Sequence, residues 1–76
     1  MANFKQVNQA IKNAYPDLDI KAVRAYGYVY FDGVHGFDNV ESIYVHPTST
    51  STADLTRFAL ENIQFAILTG KIKQTT

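Results

Sequence analysis

Residues 24–33 read RAYGYVYFDG and residues 41–47 read ESIYVHP. In the first stretch Tyr26, Tyr28 and Tyr30 alternate with Gly27, Val29 and Phe31. In the second, Tyr44 and His46 alternate with Ile43 and Val45. Successive side chains of a strand point to opposite faces. The two stretches therefore predict a strand pair with one aliphatic face, Val29, Phe31, Ile43 and Val45. Its other face carries Tyr26, Tyr28, Tyr30, Tyr44 and His46. The aliphatic face belongs in a core. The tyrosine face combines ring area with polar tips, as contact surfaces do. The simpler alternative is that tyrosine, a good strand former, only covers the sheet through cross-strand pairing.

Between the stretches, DGVHGFDN (32–39) has the glycine, aspartate and asparagine content of a loop. The second strand is expected from Val40 to His46, where Pro47 stops it. Upstream, Leu18, Ile20 and Ala22 alternate with Asp19 and Lys21, the pattern of a half-exposed strand. Val23 and Ala25 break that parity, which predicts a bulge near Ala22 and Val23. Gly27 marks either a second irregularity or a tight turn. The boundary between these first two strands stays open.

Helices are expected on both sides. Phe4, Val7, Ala10, Ile11, Ala14 and Tyr15 fill an arc of roughly 140° at 100° per residue, with Asn3 as N-cap and Pro16 as terminator. After the polar connector PTSTSTAD (47–54), Ser51 and Asp54 fit a capping pattern. A second helix follows from Thr52 to about Thr69. Its stripe is Leu55, Phe58, Ala59, Ile63, Ala66 and Ile67. Leu60 and Phe65 widen the apolar arc to roughly 220°, more than one packing partner requires, so this helix is expected to be gripped on two sides. Gly70 suits a C-terminal cap, and Lys71 and Lys73 suit the negative end of the helix dipole. The last few residues are expected to fray. The expected fold is α+β: helix, two to three antiparallel strands, helix, with both helices on one face of a small sheet. The expected core is Val7, Ile11, Val29, Phe31, Ile43, Val45, Leu55, Phe58, Ala59 and Ile63.

The 76 residues form one domain, 1–76, with 46% hydrophobic and 18% charged residues, a globular composition. A domain this small buries only about 60% of its unfolded surface, so a homodimer is a natural supplement. Seven basic and seven acidic residues cancel, whereas a phosphate-backbone binder usually carries a basic excess. Without cysteine there is no disulfide framework, as suits a reducing cytoplasm. No stretch approaches the roughly 20 apolar residues of a membrane span, and the first 15 residues lack the apolar run of a signal peptide.

In Gly27, Tyr28, Tyr30 and Phe31 (G-Y-x-Y-F) and Ser42, Tyr44 and Val45 (S-x-Y-V), the sequence resembles small uncharacterised accessory proteins of bacteriophages and prophages. Those proteins share an amphipathic first helix, the two strands around an acidic glycine-containing loop, and a Thr/Ser-led last helix. They often carry tryptophan in that last helix; here Phe58 is the nearest equivalent. The resemblance transfers no activity. It implies a bacterial host cell and a small protein that acts by binding a host protein or complex, host-defence complexes included.

Catalytic signatures are weak. The serines and the two histidines, His35 and His46, show no serine–histidine–acid spacing, so no enzyme, cofactor or metal is expected. Asp32, His35 and Asp38 are legitimate metal ligands by type, but aspartate and glycine are also what turns use. The helix–strands–helix order is shared with double-stranded-RNA-binding domains. Lys5, Asn8 and Lys12 sit where such a domain would use its first helix, Arg57 stands alone at the last helix, and Lys21 and Arg24 flank the tyrosines. Nucleic acid is the secondary expectation. The primary one is a protein partner at Tyr26, Tyr28, Tyr30, Tyr44 and His46. Phe37 and Val34, apolar residues at a loop tip, are candidate anchors.

Overall fold

The computed structural model describes residues 2–72. Helix α1 spans Phe4–Ala14, β1 Lys21–Arg24, β2 Val29–Asp32 and α2 Thr52–Leu68. This is the expected α+β order, with an antiparallel sheet.

Both helices begin at the caps their sequences advertise. The Asn3 side chain accepts from the Gln6 amide (3.2 Å), and the Ser51 hydroxyl accepts from the Asp54 amide (3.1 Å). Each satisfies a donor that the first helical turn leaves without a partner. Further, the Asn3 amide donates to Thr52 Oγ1 (2.9 Å) and the Ala2 amide to the Pro47 carbonyl (3.3 Å). The two helices thus start from the same end of the molecule. At the other end of α2, Gly70 takes a positive φ of 81°. The Gly70 amide returns to Ile67 and the Lys71 amide to Ala66, the paired bonds of a Schellman cap. Ile72 then turns back into the core, 3% exposed. Lys73 and the residues after it lie outside the described residues.

Strands β1 and β2 pair in unbroken register, Lys21 with Asp32, Ala22 with Phe31, Val23 with Tyr30 and Arg24 with Val29. No bulge occurs at Ala22 and Val23. Val23 simply faces the tyrosine side, opposite Tyr30, while Ala22 and Phe31 face the core. The strand also starts later than the sequence pattern predicts, because residues 16–19 form a turn in which the Leu18 amide bonds to Tyr15. Tyr26 and Gly27 form the tip of a two-residue hairpin turn, closed by the Ala25 amide on the Tyr28 carbonyl (2.9 Å). Gly27 has φ +81° and Tyr26 does not share it. A positive φ at that position costs glycine little, where a side chain would be strained.

The expected strand from Val40 to His46 shrinks to one residue pair. Val29 and Ile43 exchange both amide–carbonyl bonds (2.9 and 2.8 Å). The next position toward the loop, Glu41, gives its carbonyl to the Asn62 side chain of α2 instead (3.0 Å). The ladder goes no further than the Val29–Ile43 pair.

The free edge of β1 is closed by a side chain. Asn8 of α1 accepts from the Ala22 amide (2.6 Å) and donates to its carbonyl (3.1 Å). Its carboxamide stands in for one residue of a neighbouring strand and removes an open pairing edge.

Loop 33–40 is fastened to the segment before β1. The Asp19 amide donates to His35 Nδ1 (2.8 Å), the His35 amide donates to the Asp19 carbonyl (3.0 Å), and the Val34 amide donates to Asp19 Oδ2 (3.0 Å). An imidazole nitrogen that accepts from an amide carries no proton, so the ring proton sits on Nε2. Gly33 makes the approach possible. Its φ is +100°, and any Cβ there would overlap the Asp19 carbonyl oxygen.

Val7, Ile11, Val29, Leu55, Ala59 and Ile63 are fully buried, with Phe31 and Ile43 nearly so. Val45 and Phe58, expected inside, are half-buried against this cluster. Ala2, Ile20, Ala22, Val40, Ala66 and Ile72 complete it. Leu60 and Ile67 of the wide apolar arc are half-buried on the core. Phe65 (55% exposed) and Leu68 (76%) are left outside it.

Candidate partner-binding face

The Val29–Ile43 pair fixes the outer face of the sheet. With Val29 and Ile43 turned into the core, Tyr28 stands opposite Tyr44 and beside Tyr30. The Tyr28 and Tyr44 rings stack at 6.0 Å between centroids and 27° between planes. Tyr28 and Tyr30 are tilted at 6.4 Å and 46°. Both separations fall in the range where offset aromatic pairs attract. Val23 of β1 pairs with Tyr30, and Ala25, just past β1, bonds to the Tyr28 carbonyl.

Tyr44 is 82% exposed and Tyr28 38% exposed. Tyr30 is half-buried. The trio forms an aromatic strip on the sheet: the Tyr28 ring contacts both of the others, and Tyr44 and Tyr28 leave much of their area in water.

The other expected contact residues are distributed differently. Tyr26, at the hairpin tip, is fully exposed and is not a member of the strand face. His46 lies against the same turn, since a Cβ on Gly27 would sit 3.6 Å from its Cε1. Tyr26, Gly27 and His46 line a second, separate groove with Arg24, Pro47 and Thr48. The hydroxyls of Ser49 and Thr50 donate to the His46 backbone carbonyl and not to its ring. Phe37 and Val34 are exposed on the loop. Phe37 does not tuck beneath the loop, and it joins the tyrosines across a groove.

That groove, of about 500 Å³, opens where β2 and residues 37–42 diverge. Tyr28, Tyr30 and Phe37 supply aromatic walls, and Asp38, Glu41 and Lys71 supply charge. Its volume is within the roughly 300–1,000 Å³ of ordinary ligand sites. Glu41 and Lys71 carried no signal as site residues in the sequence, because the groove exists only where the third strand fails to continue.

The three residues Asp32, His35 and Asp38 do not converge. His35 Nδ1 is engaged by the Asp19 amide, and no group of three histidine, aspartate or glutamate side chains among the described residues is arranged to hold a metal ion. No helix among them is long and apolar enough to cross a membrane. The first-helix surface is also altered from expectation. Lys5 and Lys12 are exposed, but the Asn8 carboxamide between them is spent on Ala22.

Comparison with family models, with curated proteins and with solved structures finds no match for this chain.

Proposed function

We propose that this chain is a non-enzymatic accessory protein of the phage or prophage type, which binds and modulates a host macromolecular complex in the bacterial cytoplasm. Inhibition of a host-defence or nucleic-acid-processing complex is the leading form of this reading. The phage context rests on the sequence resemblance. The contact mode rests on one observation: Tyr28, Tyr30 and Tyr44 form an exposed aromatic strip on the sheet face that no helix covers. Partly exposed tyrosine clusters are the residue type and arrangement that dominate binding energies at interfaces.

The test compares Tyr30→Ala with Lys12→Ala in capture of a bacterial partner and in thermal melting. If the strip is the contact, Tyr30→Ala weakens binding by about 2 kcal/mol or more, roughly 30-fold, while Lys12→Ala leaves it unchanged. If the tyrosines only cover the sheet, Tyr30→Ala lowers stability by up to about 1 kcal/mol and leaves capture intact. Loss of capture in the lysine variant alone moves the site to α1.

The second reading is a nucleic-acid-binding module, favoured by the exposed stacked rings, on which single-stranded bases could stack. Asp38 and Glu41 beside those rings oppose a phosphate backbone, and Asn8 is unavailable on α1. Gel shifts with short single- and double-stranded oligonucleotides separate the two readings. Tight binding that weakens steeply with salt favours this one.

The same surface economy leads us to propose a homodimer. Phe65 and Leu68, one turn apart on α2, are the apolar residues of that helix left in water.

A further inference from the structure

We propose that the groove between β2 and residues 37–42 receives an arginine side chain from the partner. The inference rests on the reading of the tyrosine strip as a partner face, and it names the chemistry of what that face takes.

The charges of the groove are cancelled only in part from within. Arg57 pairs with Asp54 and Glu61 on the solvent side of α2, away from the groove. Asp38 and Glu41 line the groove, and neither is in an ion pair with another described residue. Asn62 engages the Glu41 backbone carbonyl and not its carboxylate. Lys71 lines it as well and offsets one of the two negative charges.

The walls add to the same sign. Tyr28, Tyr30 and Phe37 line the groove, and the face of an aromatic ring is the negative end of its quadrupole. A site with both aromatic rings and carboxylates in its walls favours a cation. Among protein cations, guanidinium fits best. It is planar and weakly hydrated, stacks on tyrosine, and offers a donor fork to a carboxylate. Lysine presents a strongly hydrated point charge and gains less from ring faces. A phosphate or an acidic peptide would meet two carboxylates for one lysine.

The probes are three short capped peptides, Gly-Arg-Gly, its citrulline analogue, and Gly-Lys-Gly, titrated into the labelled protein by NMR. Citrulline keeps the shape and removes the charge. The expected result is binding of the arginine peptide at least tenfold tighter than the citrulline one, with lysine between them. Shifts should concentrate at the Tyr28 and Tyr30 rings and the amides of residues 37–42. Glu41→Gln, a change at an exposed side chain, should weaken arginine binding at least threefold without moving the melting temperature. Equal binding of arginine and citrulline overturns the inference, as do shifts centred elsewhere. A capture assay separates this failure from that of the parent reading. If Tyr30→Ala abolishes partner capture and Glu41→Gln with Asp38→Asn does not, the tyrosine face stands and the arginine falls. If none of the three changes matters, both fall.

Discussion

At the scale of single residues, His35 is the most constrained polar side chain in the loop. Its Nδ1 must accept from the Asp19 amide, so heteronuclear NMR should find the Nε2–H tautomer; a proton on Nδ1 would contradict the geometry. Replacing it with alanine leaves the Asp19 amide to water. Because that bond is partly solvent-exposed, the expected loss is small, on the order of 1 kcal/mol. The effect should be local: amides of residues 33–40 exchange faster with solvent, while the α2 amides keep their protection. If protection falls equally throughout, the staple is part of the global fold and the loop is not an independent unit. Neither His35 nor Asp19 was legible as a partner from sequence. They are 16 residues apart, and each has an ordinary turn reading.

At the scale of elements, Asn8 joins α1 to β1 more specifically than the apolar contacts around it. Asn8→Ala removes two hydrogen bonds to a part-buried peptide unit and should cost about 1–3 kcal/mol in urea unfolding. Asn8→Asp keeps the acceptor and loses the donor, so it should fall between. A change below a few tenths of a kcal/mol in the alanine variant would show that water replaces the carboxamide freely. What the sequence disclosed about the elements divides along the same line. Asn3, Ser51 and Gly70 act within one turn of their own positions, and all three caps were readable. The inward set Val29, Phe31 and Ile43 was readable because alternation is also local. The loss of the third strand was not: beside the point where it ends, Asn62 bonds to Glu41 across 21 positions of sequence, a contact that alternation cannot reveal. Tyr26 was misplaced on the strand face because a tyrosine–glycine pair fits both a strand irregularity and a turn, and only pairing decides.

At the scale of the whole molecule, a chain with principal extents of 35 × 21 × 17 Å leaves Phe65, Leu68 and the tyrosine strip all at its surface. Light scattering over a concentration series should show a dimer at high micromolar concentration. Phe65→Ser combined with Leu68→Ser should return it to a monomer with little change in intrinsic melting. A monomeric mass for the parent protein throughout that range would remove the dimer and leave the tyrosine face wholly to a foreign partner.

The joint between Asn3 and Thr52 has a consequence for synthesis. These residues are separated by 49 positions, and Leu55, Ala59, Ile63 and Ala66 of α2 supply the opposing half of the core. The β1–β2 hairpin can close within microseconds of leaving the ribosome. It cannot hide Val29 and Phe31 until α2 has also emerged, which ties completion of folding to the synthesis of α2 and gives the chain a high share of sequence-distant contacts. A nascent chain stopped at residue 50 should therefore show no cooperative unfolding and should be degraded readily by protease. Release of the chain through residue 72 should restore resistance in one step.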